Sequence, residues 1–344
     1  MALLHKLLKC ATAIQITRMT HYPPIISAFV TMVLTLILML NKDGTVRDIP
    51  NERSLHTKPI PRIGGVAIMA GVLSGWMLLF EYWAWWIVLP VAGLFMLSLV
   101  DDVRGLSAKM RLFGHFAAAI IVVQGAGVEW LWLLPVLLFI VWMTNLYNFM
   151  DGSDGLAAGM ALFGFSFYGI AGLMNNNAAF AMMNFTVGAA ALGFLYHNFH
   201  PAKVFMGDAG SIPLGFLAAA FGVWGWQLGY WPFWYPILVF SPFVIDATVT
   251  LLKRASRGEN LAQAHRDHYY QHLVRMGWGH RNTAVAEYAL MLLAGASALW
   301  GIGLGAHGQW NLLACWGAVY LGLAIWIDKC WRRYEAAKRS VADA

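Results

Sequence analysis

The sequence predicts an all-α integral membrane protein: a polytopic bundle of about eleven transmembrane helices with its functional loops on the cytoplasmic side. Three observations carry this expectation. Of 344 residues, 60% are hydrophobic and only 12% charged, against about 25% charged in a soluble domain. The apolar residues fall into runs long enough for bilayer-spanning helices, which take about 20 residues each. Of the 23 Lys and Arg residues, 20 lie in alternate loops. Disordered and collagen-like chains are excluded as well, because the 34 Gly show no period and the 12 Pro do not cluster. Cys10, Cys315 and Cys330 are odd in number and scattered, so neither a disulfide framework nor a cysteine metal site is indicated. A net charge of +6 on so apolar a chain points to membrane-facing and phosphate-facing loops rather than to nucleic acid.

Residues 1–23 form a separate N-terminal segment, in which Leu4, Leu7, Leu8, Ala11 and Ile14 follow helical spacing and suit an interfacial helix. This segment is expected to be dispensable, with Met19 as an alternative start; an intact mass that retains residues 1–18 would remove the second idea. Spans are predicted at residues 24–40, 64–80, 83–100, 112–128, 130–146, 156–174, 178–196, 212–230, 234–252, 284–304 and 312–327. No small-residue cleavage site follows the first, so it reads as an uncleaved anchor. Each span is essentially uncharged, and lipid cannot satisfy exposed backbone polar groups, which leaves a helical bundle. A barrel would need short alternating strands. The predicted transmembrane domain therefore covers 24–328, with inner loops 41–63, 101–111, 145–155, 197–211 and 253–283, and a tail at 329–344. Five cations lie in the first inner loop, six in the last and five in the tail. Cytoplasmic loops carry such an excess, so these loops and the C-terminus are assigned to the inside. The opposite edge is rich in tryptophan (Trp83, Trp85, Trp86, Trp130, Trp132, Trp224, Trp226, Trp231 and Trp234), as an interfacial belt should be.

The outer loops hold only Glu81 and Glu129, and nearly all other acids lie in or beside inner loops. Carboxylates at the mouth of a hydrophobic bundle are costly and point to function. The first cluster, Asp101-Asp102 followed by Lys109 and Arg111, also reads as solvated helix-end charge. The second holds Asn145, Asn148, Asp151 and Asp154 with two glycines. Their period of three would place the oxygens along one helical stripe, suited to a hard cation that keeps room for phosphate. The third is Phe205-Met-Gly207-Asp208-Ala-Gly-Ser211, just before a span. A glycine-rich helix start binds phosphate through free N–H groups, and the aspartate among them suggests a bridging metal. The fourth holds His265, Arg266, His268 and His272; the histidines would share a helical face and suit zinc, but the neighbouring arginines suit phosphate better. His115, His197, His200, Lys203 and Asp246 are lone candidates that read first as structural or interfacial, Asp246 less so because it lies within a span.

Together, the Asp-Asp pair with its Gly-Leu-Ser-x-Lys tail, the N-x-x-N-x-x-D-G-x-D-G run and the F-M-G-D-x-G-S run resemble the polyprenyl-phosphate N-acetylhexosamine-1-phosphate transferases. This is the MraY/WecA family, glycosyltransferase family 4. The resemblance covers residues 40–283, and Arg62 to Gly65 look like the family's first inner loop. Eleven spans and the His-Arg-x-His pattern, where the peptidoglycan branch has three consecutive histidines, are similar to the O-antigen-initiating branch. The resemblance implies transfer of HexNAc-1-phosphate (GlcNAc, FucNAc or QuiNAc type) from a UDP-sugar to undecaprenyl phosphate, releasing UMP, at the bacterial inner membrane. It implies Mg²⁺, with Mn²⁺ as an alternative, held by Asp208 and Asn148 with Asp151 close by. It further implies that Phe205 stacks on uracil, that Asp154 bonds its edge, and that Arg111 and Lys109 hold the pyrophosphate. Asp101 and Asp102 would lie beside the lipid phosphate, and His265, Arg266 and His268 near the sugar and phosphates; Asn145, Gly207 and Ser211 complete the expected binding set. Partners would be the two substrates and the bilayer, with a homodimer compatible and no nucleic acid. Because a phosphate monoester's second pKa is about 6, no base need deprotonate the acceptor, and the expectation is that Asp102 orients cations while Asp101 places the lipid phosphate. The rival reading, a transporter or flippase of an anionic lipid or nucleotide sugar, would need internal repeats and charges inside the bundle; the predicted spans hold only two acids, Asp246 and Glu287.

Overall fold

The structure, a computed structural model, describes residues 21–41, 47–49, 59–260, 263 and 265–342. The N-terminal expectations on residues 1–20 and the loop cations Lys42, Arg53 and Lys58 lie outside these residues.

All eleven predicted runs coincide with helix. In chain order these are α1 (Tyr22–Leu40), α2 (Gly64–Met77), α3 (Trp85–Arg104), α4 (Ala108–Gly125), α5 (Leu133–Phe149), α6 (Leu156–Met174), α7 (Ala178–Asn198) and α8 (Asp208–Gln227). The ninth run divides into α9 (Trp234–Val239) and α10 (Ser241–Ser256), and after a short α11 (Tyr269–Leu273) come α12 (Gly279–Gly301) and α13 (Ala306–Ala342). Eight of the runs are long and apolar enough to cross a membrane by length and composition, and α2 is a shorter apolar helix of 14 residues. The ninth run breaks at Phe240 because Pro242 sits in the first turn of α10, where its missing N–H and fixed φ start a helix but cannot continue one.

Helix α8 is the hub. Residues 209 to 223 are buried without interruption, and α2, α3, α5, α6 and α9 all pack around it. A helix apolar on every side is one enclosed by others. Close approach is set by small residues: a Cβ on Gly65 would lie 2.2 Å from the Gly210 amide nitrogen, so α2 and α8 meet backbone to backbone. A second group forms where α7 packs on α1 and α6, with α12 against α6.

Several helices run past the apolar stretches that announced them. Ser107 caps α4 by accepting from the Met110 amide, so Lys109 and Arg111 lie in its first turn and the loop before it shrinks to Gly105–Ser107. Helix α8 begins at Asp208 rather than 212, and α13 continues through the expected tail to Ala342. Tryptophans of the predicted belt pair at helix ends opposite those that carry the motifs, with Trp86 and Trp224 rings 5.3 Å apart and Trp132 and Trp226 rings 5.6 Å apart. Trp231 corrects the belt assignment: it is 3% exposed, donates to Gly222 O and stacks on Tyr168 and Tyr235.

Candidate active site

The motif residues converge because helix ends that are far apart in sequence meet at one end of the bundle. The C-terminus of α3 brings Asp101 and Asp102, the start of α4 brings Arg111, the end of α5 brings Asn148, and α8 opens with Asp208. The first inner loop adds Arg62. Strand β2 (Ile60–Pro61) pairs antiparallel with β1 (Arg47–Asp48), and Arg62 then bridges in parallel to Phe205.

Asp102 sits at the N-terminus of α8. Its carboxylate accepts from the Ala209 amide at 3.0 Å and from the Asp208 amide at 3.4 Å, and lies 3.2 Å from Arg62 Nη2. The first N–H groups of a helix lack internal partners and carry partial positive charge, so a carboxylate from another helix caps them here. This corrects the expectation that these amides await a phosphate: the aspartate already takes them. Gly207 permits the approach, with φ at 73° and a Cβ that would lie 3.2 Å from Asp102 Oδ2. Asp101 is equally committed, accepting from the Leu106 amide and pairing with Arg111 Nη1 at 3.2 Å.

Asp208 is the meeting point. Its Oδ1 accepts from Arg62 Nη2 at 3.0 Å and from Asn148 Nδ2 at 3.0 Å, and its Oδ2 lies 3.6 Å from Arg111 Nη1. The Asn148 amide also donates to Ser211 Oγ at 2.9 Å, whose hydroxyl turns to Gly207 O. Half-buried Asp151 stands close: burial, then the neighbouring Asp208 and Asp102 carboxylates, push its carboxyl well above the ordinary range, against the opposing pull of Arg62. Burial works against the charge on Arg62, but Asp208, Asp102, Asp48 and Asp151 outweigh it and hold its pKa above the usual value.

The period-three stripe is not realised. Helix α5 ends at Phe149, so residues 150–155 form a loop and the four polar positions separate. Asn145 points a turn deeper, donating to Val141 O and meeting His115 Nδ1 at 3.1 Å. Asp154 turns away from the cluster: its Oδ2 takes His200 Nδ1 at 2.6 Å and the Ala202 amide at 3.1 Å, and Oδ1 lies 3.8 Å from His280 Nδ1. It ties the 150–155 loop to the 199–207 loop, which leaves less of its carboxylate for a base edge than expected. Half-buried Phe205 has its main chain fixed by Pro61 and Gly64, and Lys109 is solvent-exposed.

The last inner loop is organised by Asp246, the lone candidate that lies within a predicted span. Its Oδ1 accepts from Thr250 Oγ1, His268 Nδ1 and the Tyr269 amide, and its Oδ2 from the Tyr270 amide, all at 3.0–3.1 Å. Buried Tyr270 reaches toward the α5 end, its hydroxyl 3.4 Å from Phe149 O. His265 lies beside His268, ring centroids 4.8 Å apart; burial, then His268 and Arg254, lower its pKa to about 4. His272 instead stacks on Trp331 at 4.0 Å, so the three histidines do not share the helical face a zinc site needed. Among the described residues no group of three or more His, Cys, Asp or Glu side chains forms a metal cage. Arg266 accepts at its carbonyl from Arg275.

Three contributors were named in the sequence without a site role: Arg62 within the first-inner-loop motif, and His200 and Asp246 as lone candidates. A cation inside a carboxylate cluster, and an acid inside a span, were the available signals.

Comparison with known proteins agrees with this geometry. The model of the family described as glycosyl transferase family 4 matches residues 84–225, which include Asp101, Asp102, Asn148 and Asp208. The chain is 29% identical over 302 residues to a Bacillus subtilis protein named probable undecaprenyl-phosphate N-acetylglucosaminyl 1-phosphate transferase, covering 80% of this chain and 84% of that one. It is 29% identical over 290 residues to decaprenyl-phosphate N-acetylglucosaminephosphotransferase of Mycolicibacterium smegmatis, covering 70% and 71%. It is 26% identical over 316 residues to phospho-N-acetylmuramoyl-pentapeptide-transferase of Halalkalibacterium halodurans, covering 80% and 95%. With its motif residues gathered at one end of an apolar bundle, the chain is similar to glycosyl transferase family 4 over residues 84–225 and to these three transferases over 70–80% of its length.

Proposed function

We propose that this protein is a polyprenyl-phosphate sugar-1-phosphate transferase, and more narrowly that it moves an N-acetylhexosamine-1-phosphate from a UDP-sugar to undecaprenyl phosphate. One observation carries the reading: Asp208 is flanked by Arg62, Arg111 and Asn148 at the mouth of a membrane-type bundle, where a lipid-anchored phosphate and a soluble nucleotide can meet. The names of the relatives support the lipid phosphate and the sugar phosphate.

In the reaction an oxygen of the lipid phosphate bonds to the sugar-linked phosphorus, and the bond from that phosphorus to the UMP oxygen breaks. Both reactants are anions, so catalysis rests on positioning and charge neutralisation. Arg111, held by Asp101, and Arg62, held by Asp102, supply positive charge at fixed places. Asp102 acts by fixing the start of α8 and Arg62; with both oxygens engaged and the acceptor phosphate already ionised near neutral pH, no proton abstraction is assigned to it. His268, oriented by Asp246, stands at the edge of the same loop system.

The donor set suits a divalent cation. Asp101, Asp102, Asp151 and Asp208 carry four negative charges when ionised, and Arg62 and Arg111 return two, so the shortfall equals one divalent ion. Mg²⁺ takes one or two carboxylates and completes its shell with water and phosphate, so Asp208 with Asn148 or Asp151 suffices. When bound it would neutralise pyrophosphate oxygens.

The cation-rich loops support a cytoplasmic site, and the His265-Arg266-Asp-His268 run supports an O-antigen or related surface-polysaccharide role. Purified protein with undecaprenyl phosphate and a panel of UDP-sugars, followed by UMP release with and without Mg²⁺, tests the proposal. Release with one UDP-HexNAc, abolished by chelator, is expected. No UMP from any member of the panel refutes the transferase reading.

A further inference from the structure

Arg62 lies outside the family match at 84–225, yet its guanidinium is at the centre of the carboxylate cluster. Its main chain is clamped. Phe205 N donates to Pro61 O at 2.8 Å, Gly64 N to Phe205 O at 3.0 Å, and Gly65 N to Met206 O at 2.8 Å. The base of the side chain is thereby fixed beside the start of α8, while the side chain itself is 31% exposed. From there Nη2 bridges Asp102 Oδ1 at 3.2 Å and Asp208 Oδ1 at 3.0 Å. The two acids differ in what else holds them. Asp102 keeps two backbone N–H donors without the arginine. Among the described residues, Asp208 Oδ1 would keep only the Asn148 amide.

The geometry points to Arg62 as a resident counter-cation that closes the Asp102–Asp208 pair and yields Asp208 to an incoming divalent cation. Arg62 keeps Asp102 as its anchor and turns the freed N–H groups to a phosphoryl oxygen. This rests on the proposal that Asp208 holds the cation. Like charges within about 4 Å repel strongly at a partly buried site, so the guanidinium and the ion do not share one carboxylate oxygen. Two consequences follow. Arg62 weakens divalent-ion binding in the absence of nucleotide, and an anion that accepts the released guanidinium strengthens it; such coupling is reciprocal. Arg62 is thus a positioning residue that makes cation and substrate binding cooperative.

The test is Mn²⁺ binding to the substrate-free full chain in nanodiscs, read by electron paramagnetic resonance. Arg62→Gln is expected to bind Mn²⁺ about tenfold more tightly than wild type, the effect of losing about one competing charge contact, with Arg62→Lys between the two. Equal or weaker binding by Arg62→Gln, where Asp208→Asn abolishes it, overturns the role of Arg62 and leaves the metal assignment standing. Binding indifferent to Asp208→Asn overturns both. A second measurement needs no variant at Arg62: phenylglyoxal modification of Arg62, followed by mass spectrometry, should quicken in wild type when Mg²⁺ is added. Unchanged or slower labelling overturns the release of the guanidinium.

Discussion

Asp246→Asn removes a charge and one acceptor without changing size, and the structure gives the cost. The carboxylate serves four donors, three on Oδ1 and one on Oδ2, at a residue 7% exposed. An asparagine accepts through one oxygen only. Placed with that oxygen toward Thr250, His268 and Tyr269, it turns its NH₂ on the Tyr270 amide, donor against donor. Losing that bond and leaving a buried N–H unsatisfied costs about 2–3 kcal/mol; the opposite orientation strands three donors and costs more. At about 1.4 kcal/mol per factor of ten, docking of the loop that carries His268 weakens by roughly 30- to 150-fold. Hydrogen exchange followed by mass spectrometry should show residues 268–273 losing protection by that factor, with amides in α8 unchanged. UMP release should fall more than about tenfold, as expected when a misplaced loop no longer orients groups near the reacting centre. Wild-type exchange at 268–273 together with wild-type turnover would refute the organising role given to Asp246.

Other expectations concern the metal, packing and pH. Asp208→Ala should abolish turnover, and excess Mg²⁺ should not restore it, because the carboxylate at which Arg62, Asn148 and Arg111 converge is gone; steady-state assays across a Mg²⁺ titration check this. Gly65→Ala puts a Cβ 2.2 Å from the Gly210 amide nitrogen, where backbone cannot yield cheaply. A loss of about 1–3 kcal/mol should appear as a lower thermal midpoint, and a midpoint equal to wild type would contradict the close α2–α8 contact. His265 is held neutral down to about pH 4, whereas an unfolded histidine takes up its proton near 6.5. The unfolded state therefore binds more protons between these values, so this residue's contribution to stability is full above pH 6.5 and declines as pH falls toward 4. His265→Gln should flatten that part of the stability–pH curve, measured by thermal melts from pH 4 to 7.

Much of the site was legible in outline. The acids at span ends, the Asp-Asp pair and the Gly-Asp start of α8 are local patterns, and the helices that carry them formed where the apolar runs placed them. Misreadings arose at ends and turns. The stripe from Asn145 to Asp154 assumed a helix that stops at Phe149, and the glycine-rich start of α8 suggested open amides that Asp102 fills. Arg62 looked like part of a loop motif because nothing local links it to Asp208, 146 residues away.

The sequence by itself determined that the chain is an apolar helical bundle with its acids and cations concentrated at one side, because transfer of side chains out of water is summed locally along the chain and needs no knowledge of neighbours. Only the tertiary structure decided which oxygen meets which donor. Those choices, with Asp102 on the α8 amides, Arg62 between two carboxylates and Asp246 beneath the last loop, depend on directional contacts a few ångströms long between segments brought together by packing. No periodicity or spacing in the chain encodes them.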